Sequence, residues 1–317
     1  MLSIGVDIGG TKIAAGVVDE DGRIVARARR ATPATDPALI ETAVIEVVRE
    51  LSQEHEVGAV GIGAAGFVGS DRRTILFSAN LAWRDTPLAD DVEREVSLPV
   101  VVENDANAAG WAEFRFGAVR GHDQVRDMLM LTVGTGLGGA LVLDGRLVRG
   151  SAGFAGEVAH MNVVPDGQWC GCGRRGCLEQ YTSGTALVRS ARHRAVADDP
   201  MLAPLRQAAG GDPAAIDGPL ITSMAQEGDP GAISLFAELG RWLGYGAAAI
   251  SAVLDPGVYV IGGGVSSAGD LLLDPARATY EREVVARMHR PIAPFLVAST
   301  GNDAGVIGAA DLARTDA

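Results

Sequence analysis

The chain has 317 residues, 47% hydrophobic and 21% charged, with a formal net charge of −13. That length and composition fit a globular protein of about two domains with a large core. The acidic balance argues against nucleic acid or an anionic membrane surface as a partner, and no apolar run nears the ~20 residues that span a bilayer.

Residues 2–8 are apolar and β-prone and end at Gly9-Gly10. No basic stretch of a signal peptide precedes them, which predicts a cytoplasmic protein. Ile13 to Val18 reads as a second strand, Asp21-Gly22 as a hairpin turn, and Arg23 to Ala28 as a third strand. An amphipathic helix is predicted over 37–54, with Pro37 near its start and Leu39, Ile40, Ala43, Val44, Val47, Val48 and Leu51 on one face. A buried strand, Val57 to Ile62, a helix over roughly 86–96, a strand at Val100 to Val102 and a helix from Ala106 to Phe116 follow.

At residue 128 the opening pattern returns. Met128 to Val133 ends in Gly134-Thr135-Gly136, Leu137 to Leu143 is a second strand, and Asp144-Gly145-Arg146-Leu147-Val148 matches Asp21-Gly22-Arg23-Ile24-Val25. One two-residue gap aligns the two hairpins. This repetition arises either by chance between glycine-rich turns or from two related domains. Residues 183–254 are mainly helical, and the stretch from Leu235 to Leu254 serves as core or as an interface. A buried strand at Val258 to Ile261 leads into Gly262-Gly263-Gly264, and the helix over about 303–315 is expected to return to the first domain.

Strand, glycine turn, strand is a phosphate-binding device, because glycine lets backbone N–H groups approach an anion closely. Neither hairpin fits the Walker pattern or opens a helix as a dinucleotide fingerprint does. Gly9, Gly10, Thr11 and Lys12 in one turn, and Gly134, Thr135 and Gly136 in the other, are candidate phosphate contacts. Lys12 is the only lysine beside 26 arginines; it is a compact charge for a phosphate or a solvated strand residue. Asp7 is a candidate for Mg²⁺, and Gly263 and Gly264 for the nucleoside side. All three cysteines lie within eight residues, and His160, Cys170, Cys172 and Cys177 have the spacing of a closed, structural zinc site. That loop would hold Glu157 and Glu179 rigidly, as sugar-hydroxyl acceptors or as solvated acids. Asp105 ends a buried strand beside Asn104, as an acid at the ligand end of the sheet or as the N-cap of the next helix.

The motifs Asp7-Ile8-Gly9-Gly10-Thr11-Lys12, Glu103-Asn104-Asp105-Ala106-Asn107-Ala108, Leu131 to Gly139, Gly156-Glu157-Val158-Ala159-His160 and Cys170 to Glu179 together resemble the ROK (repressor, open reading frame, kinase) sugar kinases across almost the whole chain. Ala159 stands where the family commonly has glycine. The resemblance implies an α/β, two-domain, actin-like (ribonuclease H-like) ATPase fold with a cleft between domains and a zinc-binding loop. Residues 1–109 plus about 301–317 would form a small domain, and 110–300 a large one carrying the zinc loop, about 157–179. It implies ATP-dependent phosphorylation of glucose at the 6-hydroxyl with Asp105 as general base. Asn104, Glu157, His160 and Glu179 would hold the sugar hydroxyls, Gly66 would add a backbone contact, and His160 would also bind zinc. ATP, Mg²⁺ and structural Zn²⁺ are the implied cofactors, and a homo-oligomer, dimer or tetramer, the implied assembly. Alternatives are a kinase for fructose, mannose, allose or an N-acetylhexosamine, a non-catalytic sugar sensor, and polyphosphate as donor. The family's repressors carry a DNA-binding module ahead of the first strand, which the start at residue 2 does not accommodate.

Overall fold

The computed structural model describes residues 1–78 and 81–315. The chain divides into two compact units: Met1–Leu129, Gly139–Gly156 and Ala298–Ala317 form unit 1, and Met130–Gly138 with Glu157–Val297 form unit 2.

Unit 1 begins with β1 (Leu2–Ile8), β2 (Lys12–Val18) and β3 (Ile24–Ala31), then α1 (Pro37–Glu54) and β4 (Val57–Ala64). Three short strands, β5 (Phe67–Val68), β6 (Ile75–Phe77) and β7 (Arg84–Thr86), make a small separate sheet. Then come α2 (Leu88–Val96), β8 (Val100–Asn104) and α3 (Asp105–Arg115). The first five-stranded sheet has the order β3-β2-β1-β4-β8, antiparallel across β1/β2 and β2/β3 and parallel across β1/β4 and β4/β8.

Asp36 caps α1, accepting from the N–H groups of Ala38 and Leu39. The helix buries Ile40, Val44, Val47, Val48 and Leu51 on the sheet, each contributing ~1.5–3 kcal/mol by leaving water. Leu39 does not join them. It sits on the flank of the stripe and is 53% exposed.

The second half runs through β9 (Met128–Val133), β10 (Leu137–Leu143) and β11 (Arg146–Leu147), then α4 (Glu179–Thr182), α5 (Gly184–Val196), α6 (Ala203–Ala208), α7 (Gly218–Gln226) and α8 (Pro230–Leu254). It ends with β12 (Val258–Gly262), α9 (Asp270–Glu283), β13 (Phe295–Val297) and α10 (Ala304–Thr315). The order of its sheet, β11-β10-β9-β12-β13, repeats that of the first strand for strand. The two-residue gap falls in the hairpin turn. Asp144 and Gly145 both have positive φ, as a two-residue turn of this twist requires. The first copy instead uses a longer loop, closed by Asp19 N–H on Arg23 O and Gly22 N–H on Asp19 O. Leu235, Phe236, Leu239 and Leu243 of α8 are buried, so that stripe is core.

The last helix belongs to unit 1. It packs backbone on backbone. A Cβ on Gly5 would lie 1.9 Å from Val306 O, one on Gly61 1.8 Å from Ala309 O, and one on Gly308 1.7 Å from Ala108 O. This fixes the first turn of α10 against the end of β1, where Asp7 lies.

Candidate active site

Unit 1 gathers Asp7, Gly9, Gly10, Thr11, Lys12, Gly66, Asn104 and Asp105 at the carboxyl ends of β1, β4 and β8. The glycine turn is closed by Gly9 N–H donating to Lys12 O at 3.0 Å, and Thr32 Oγ1 donates to Gly9 O at 2.7 Å. The N–H of Gly9 is thus engaged within the turn, while Gly10 and Thr11 form its exposed tip. Beyond Asp7, a Cβ on Gly305 would come within 2.7 Å of the carboxylate carbon, so glycine is needed there for α10 to approach. Burial, then the charge of Asp105, pushes the Asp7 carboxyl up to about 6, with Lys12 opposing.

Asp105 is not the cap of α3. Asn104 takes that position, its Oδ1 accepting from Asn107 N–H at 3.0 Å while Nδ2 donates to Gly66 O at 3.1 Å. Asp105 is the first helical residue, and its Oδ1 accepts from Ala106 N–H at 2.9 Å. Burial raises its proton affinity above the usual carboxylate range, and that backbone hydrogen bond opposes the rise.

Unit 2 gathers the remaining candidates. Gly134 N–H closes the second turn on Gly136 O at 3.0 Å. The turn is tied to the start of α5, with Gly184 N–H on Gly134 O at 2.7 Å and Thr185 Oγ1 on Thr135 O at 2.7 Å. Gly263 has φ +83°, and a Cβ there would meet Val133 O at 2.4 Å. That glycine lets β12 end directly against the second turn. A groove of about 1260 Å³ opens here, lined by Thr135, Thr185, Arg189, Arg192, His193 and Gly264 among others. Thr185, Arg189, Arg192 and His193 carry no sequence signal of their own; they are helix residues placed at the turn by the fold.

The zinc-ligand candidates converge. Ligand atoms of His160, Cys170, Cys172 and Cys177 all lie within 4.8 Å of one another. His160 Nδ1 is 3.6 Å from Cys170 Sγ, and Cys172 Sγ is 3.6 Å from Cys177 Sγ. A tetrahedral ion with metal–sulfur bonds of ~2.3 Å needs donors roughly 3.6–3.8 Å apart, so the donor set fits. Burial, then the neighbouring thiols, holds the Cys177 thiol up to about 12. Such a cluster sheds its protons when a cation takes their place. The other face of His160 carries Glu157, with Nε2 and Oε2 3.7 Å apart. Glu179 joins the cluster to the second turn. One oxygen accepts from Leu137 N–H at 3.2 Å, and the other lies 3.6 Å from Cys170 Sγ.

Two repeated hairpin halves, each with a glycine turn at its sheet end, define an α/β chain of the actin-like ATPase plan with mixed sheets. The ROK family model matches residues 3–316, and the chain belongs to that family. A glucokinase of Streptomyces coelicolor is 49% identical over 313 residues, covering 99% of this chain and 98% of its own. The crystal structure of a ROK family glucokinase from Streptomyces griseus in complex with glucose and AMPPNP is 51% identical, with a TM-score of 0.86 and 99% of both chains covered. An N-acetylmannosamine kinase of Yersinia pseudotuberculosis is 33% identical over 320 residues, covering 98% of each chain. Among the described residues, no helix is long and apolar enough to cross a membrane.

Proposed function

We propose that this chain is an enzyme that transfers the γ-phosphoryl group of ATP to the 6-hydroxyl of glucose, giving glucose 6-phosphate and ADP. The observation that carries this reading is Asp105, a carboxylate of raised proton affinity on the first turn of α3, held beside the Asn104–Gly66 bond. The glucokinases at about half identity over the full chain make glucose the first choice of sugar, ahead of the N-acetylhexosamine favoured by the more distant relative.

Asp105 accepts the proton of the 6-hydroxyl as that oxygen attacks the γ-phosphorus. The new O–P bond forms as the bond to the β-phosphate oxygen breaks, and ADP departs. A positioned base contributes roughly 10²–10⁴ in rate; alignment and charge stabilisation supply the remainder. Asn104, Glu157, His160 and Glu179 hold the sugar hydroxyls, with Gly66 contributing backbone. Gly10, Thr11 and Lys12 in one turn, and Thr135 and Gly136 in the other, hold phosphate oxygens, and the groove beside Gly263 and Gly264 takes the nucleoside. Asp7 would hold Mg²⁺, directly or through water; its proton affinity, raised beside a second carboxylate, suits a place that lacks positive charge. The ion, when bound, neutralises charge that builds on the phosphates.

Zn²⁺ on His160, Cys170, Cys172 and Cys177 would order the loop that presents Glu157, His160 and Glu179, a structural task because all four positions are filled by protein. Thiolates kept for metal suit the reducing cytoplasm, where we place the protein. A homo-oligomer is carried over from the family resemblance alone.

A panel of glucose, fructose, mannose, allose and N-acetylhexosamines, each with ATP and with polyphosphate, tests the reading. Glucose with ATP should give the highest kcat/KM. A higher value for another sugar or donor overturns that assignment.

A further inference from the structure

Glu103 directly precedes the Asn104–Asp105 pair. It is an acid with only 3% of its surface exposed, and its carboxylate is engaged on every side. Oε1 accepts from the backbone N–H of Asn104 at 3.1 Å and from Asn107 Nδ2 at 3.0 Å. Oε2 accepts from Arg149 Nε at 2.6 Å, and the Arg72 guanidinium lies 3.8 Å away. Arg72 belongs to a left-handed turn, φ +56°, whose carbonyl accepts from Val102 N–H of β8 at 2.8 Å.

An aliphatic side chain would fill this buried position without the cost of desolvating an acid and its arginine partners. The carboxylate adds direction. Its two Oε1 bonds straddle Asp105, one to the residue before it and one to the second residue after it. The last residue of β8 and the first turn of α3 are thereby clasped to one oxygen, while Arg149 and Arg72 fix the other oxygen from two further segments.

We propose that Glu103 is a positioning residue for phosphoryl transfer: its clasp on Asn104 and Asn107 sets the strand-to-helix junction from which the Asp105 carboxylate is aimed. This rests on the reading of Asp105 as the base. A misplacement of about 1 Å at a reacting group can cost ~10²-fold in rate, so a junction held by three directed bonds has a kinetic consequence distinct from its effect on folding.

The test places Glu103→Gln in two backgrounds, the parent enzyme and Asp105→Asn. In the parent, kcat with glucose should fall roughly ten- to a hundredfold while KM for ATP stays within about twofold. In the Asp105→Asn background, the residual kcat should change by less than about twofold, since a positioning group has nothing left to aim. The same fall in both backgrounds, or an unchanged kcat in the parent, overturns the proposal.

Glu103→Gln leaves two arginines short of their partner and could fail to fold, so Asn107→Ala is the second variant. Asn107 Oδ1 has no hydrogen-bond partner among the described residues, so the change cuts the clasp with little else. It should lower kcat in the parent and not in Asp105→Asn, and an unchanged kcat in the parent again overturns the proposal. Asp105→Asn alone reports on the base. If it retains parental kcat, the base reading fails whatever the Glu103 variants show; if its kcat falls to a measurable residual, only the Glu103 claim is at stake.

Discussion

Asp7→Asn should make the protein more stable and less active. Burial and the charge of Asp105 raise the Asp7 carboxyl from an ordinary 3.8 to about 6, worth about 3 kcal/mol at ~1.4 kcal/mol for each pKa unit. This is the penalty carried by the ionised state. For an acid whose folded pKa is raised, the folded state binds the extra proton between pH 4 and 6. Stability therefore falls as pH rises through that window, and the penalty is constant above it. Asn has the same shape and no charge, so the variant should gain about 3 kcal/mol over the parent at pH 8 and almost nothing near pH 4. Urea unfolding of both proteins at several pH values between 4 and 8 measures the gain. A gain independent of pH, or a loss at pH 8, would refute the argument. The stabilised variant should lose kcat if Asp7 serves Mg²⁺, the trade expected when a strained charge belongs to a functional site.

Cys172→Ser removes one of the four proposed zinc donors. Elemental analysis should give about one zinc per chain in the parent and far less in the variant, with a raised KM for glucose because His160 and Glu179 share the loop. Equal metal content in both removes the ligand assignment. Lys12→Arg replaces a compact ammonium with a planar fork in a chain otherwise wholly arginine. It should raise KM for ATP or lower kcat, and kinetics matching the parent would leave the phosphates to the backbone N–H groups of the turn. Activity should fall on the acid side as Asp105 protonates, at a pH above the usual carboxylate range because burial raises its proton affinity; a rate constant down to pH 4 would contradict this.

Much of the fold is legible in the chain because period and turn chemistry are local. The limits of β1, β9 and β10 and the span of α1 follow from apolar pattern and glycine or proline punctuation. The repeat is visible as two Asp-Gly turns. Leu39 is misplaced because an apolar residue at the stripe's flank cannot be told from one facing the sheet. Asp105 is a good capping residue by type, yet Asn104 takes the cap of α3 because its Oδ1 is the atom placed to accept from Asn107 N–H. The convergence of His160 with the three cysteines is legible because three cysteines within eight residues have few other uses. Glu103 lies inside a motif visible in the sequence, yet its task depends on Arg72 and Arg149, which the chain brings to it from 31 residues before and 46 after. The groove beside α5 is unreadable for the same reason.

Asp105 is proposed to take the proton from the 6-hydroxyl of glucose as ATP phosphorylates it. Turnover of glucose with ATP and Mg²⁺ by Asp105→Asn, beside glucose binding by the same protein, tests it most directly. The expected result is a fall in kcat of roughly 10²–10⁴-fold with glucose affinity within about tenfold of the parent. Glucose 6-phosphate formed at a near-parental kcat would contradict the account.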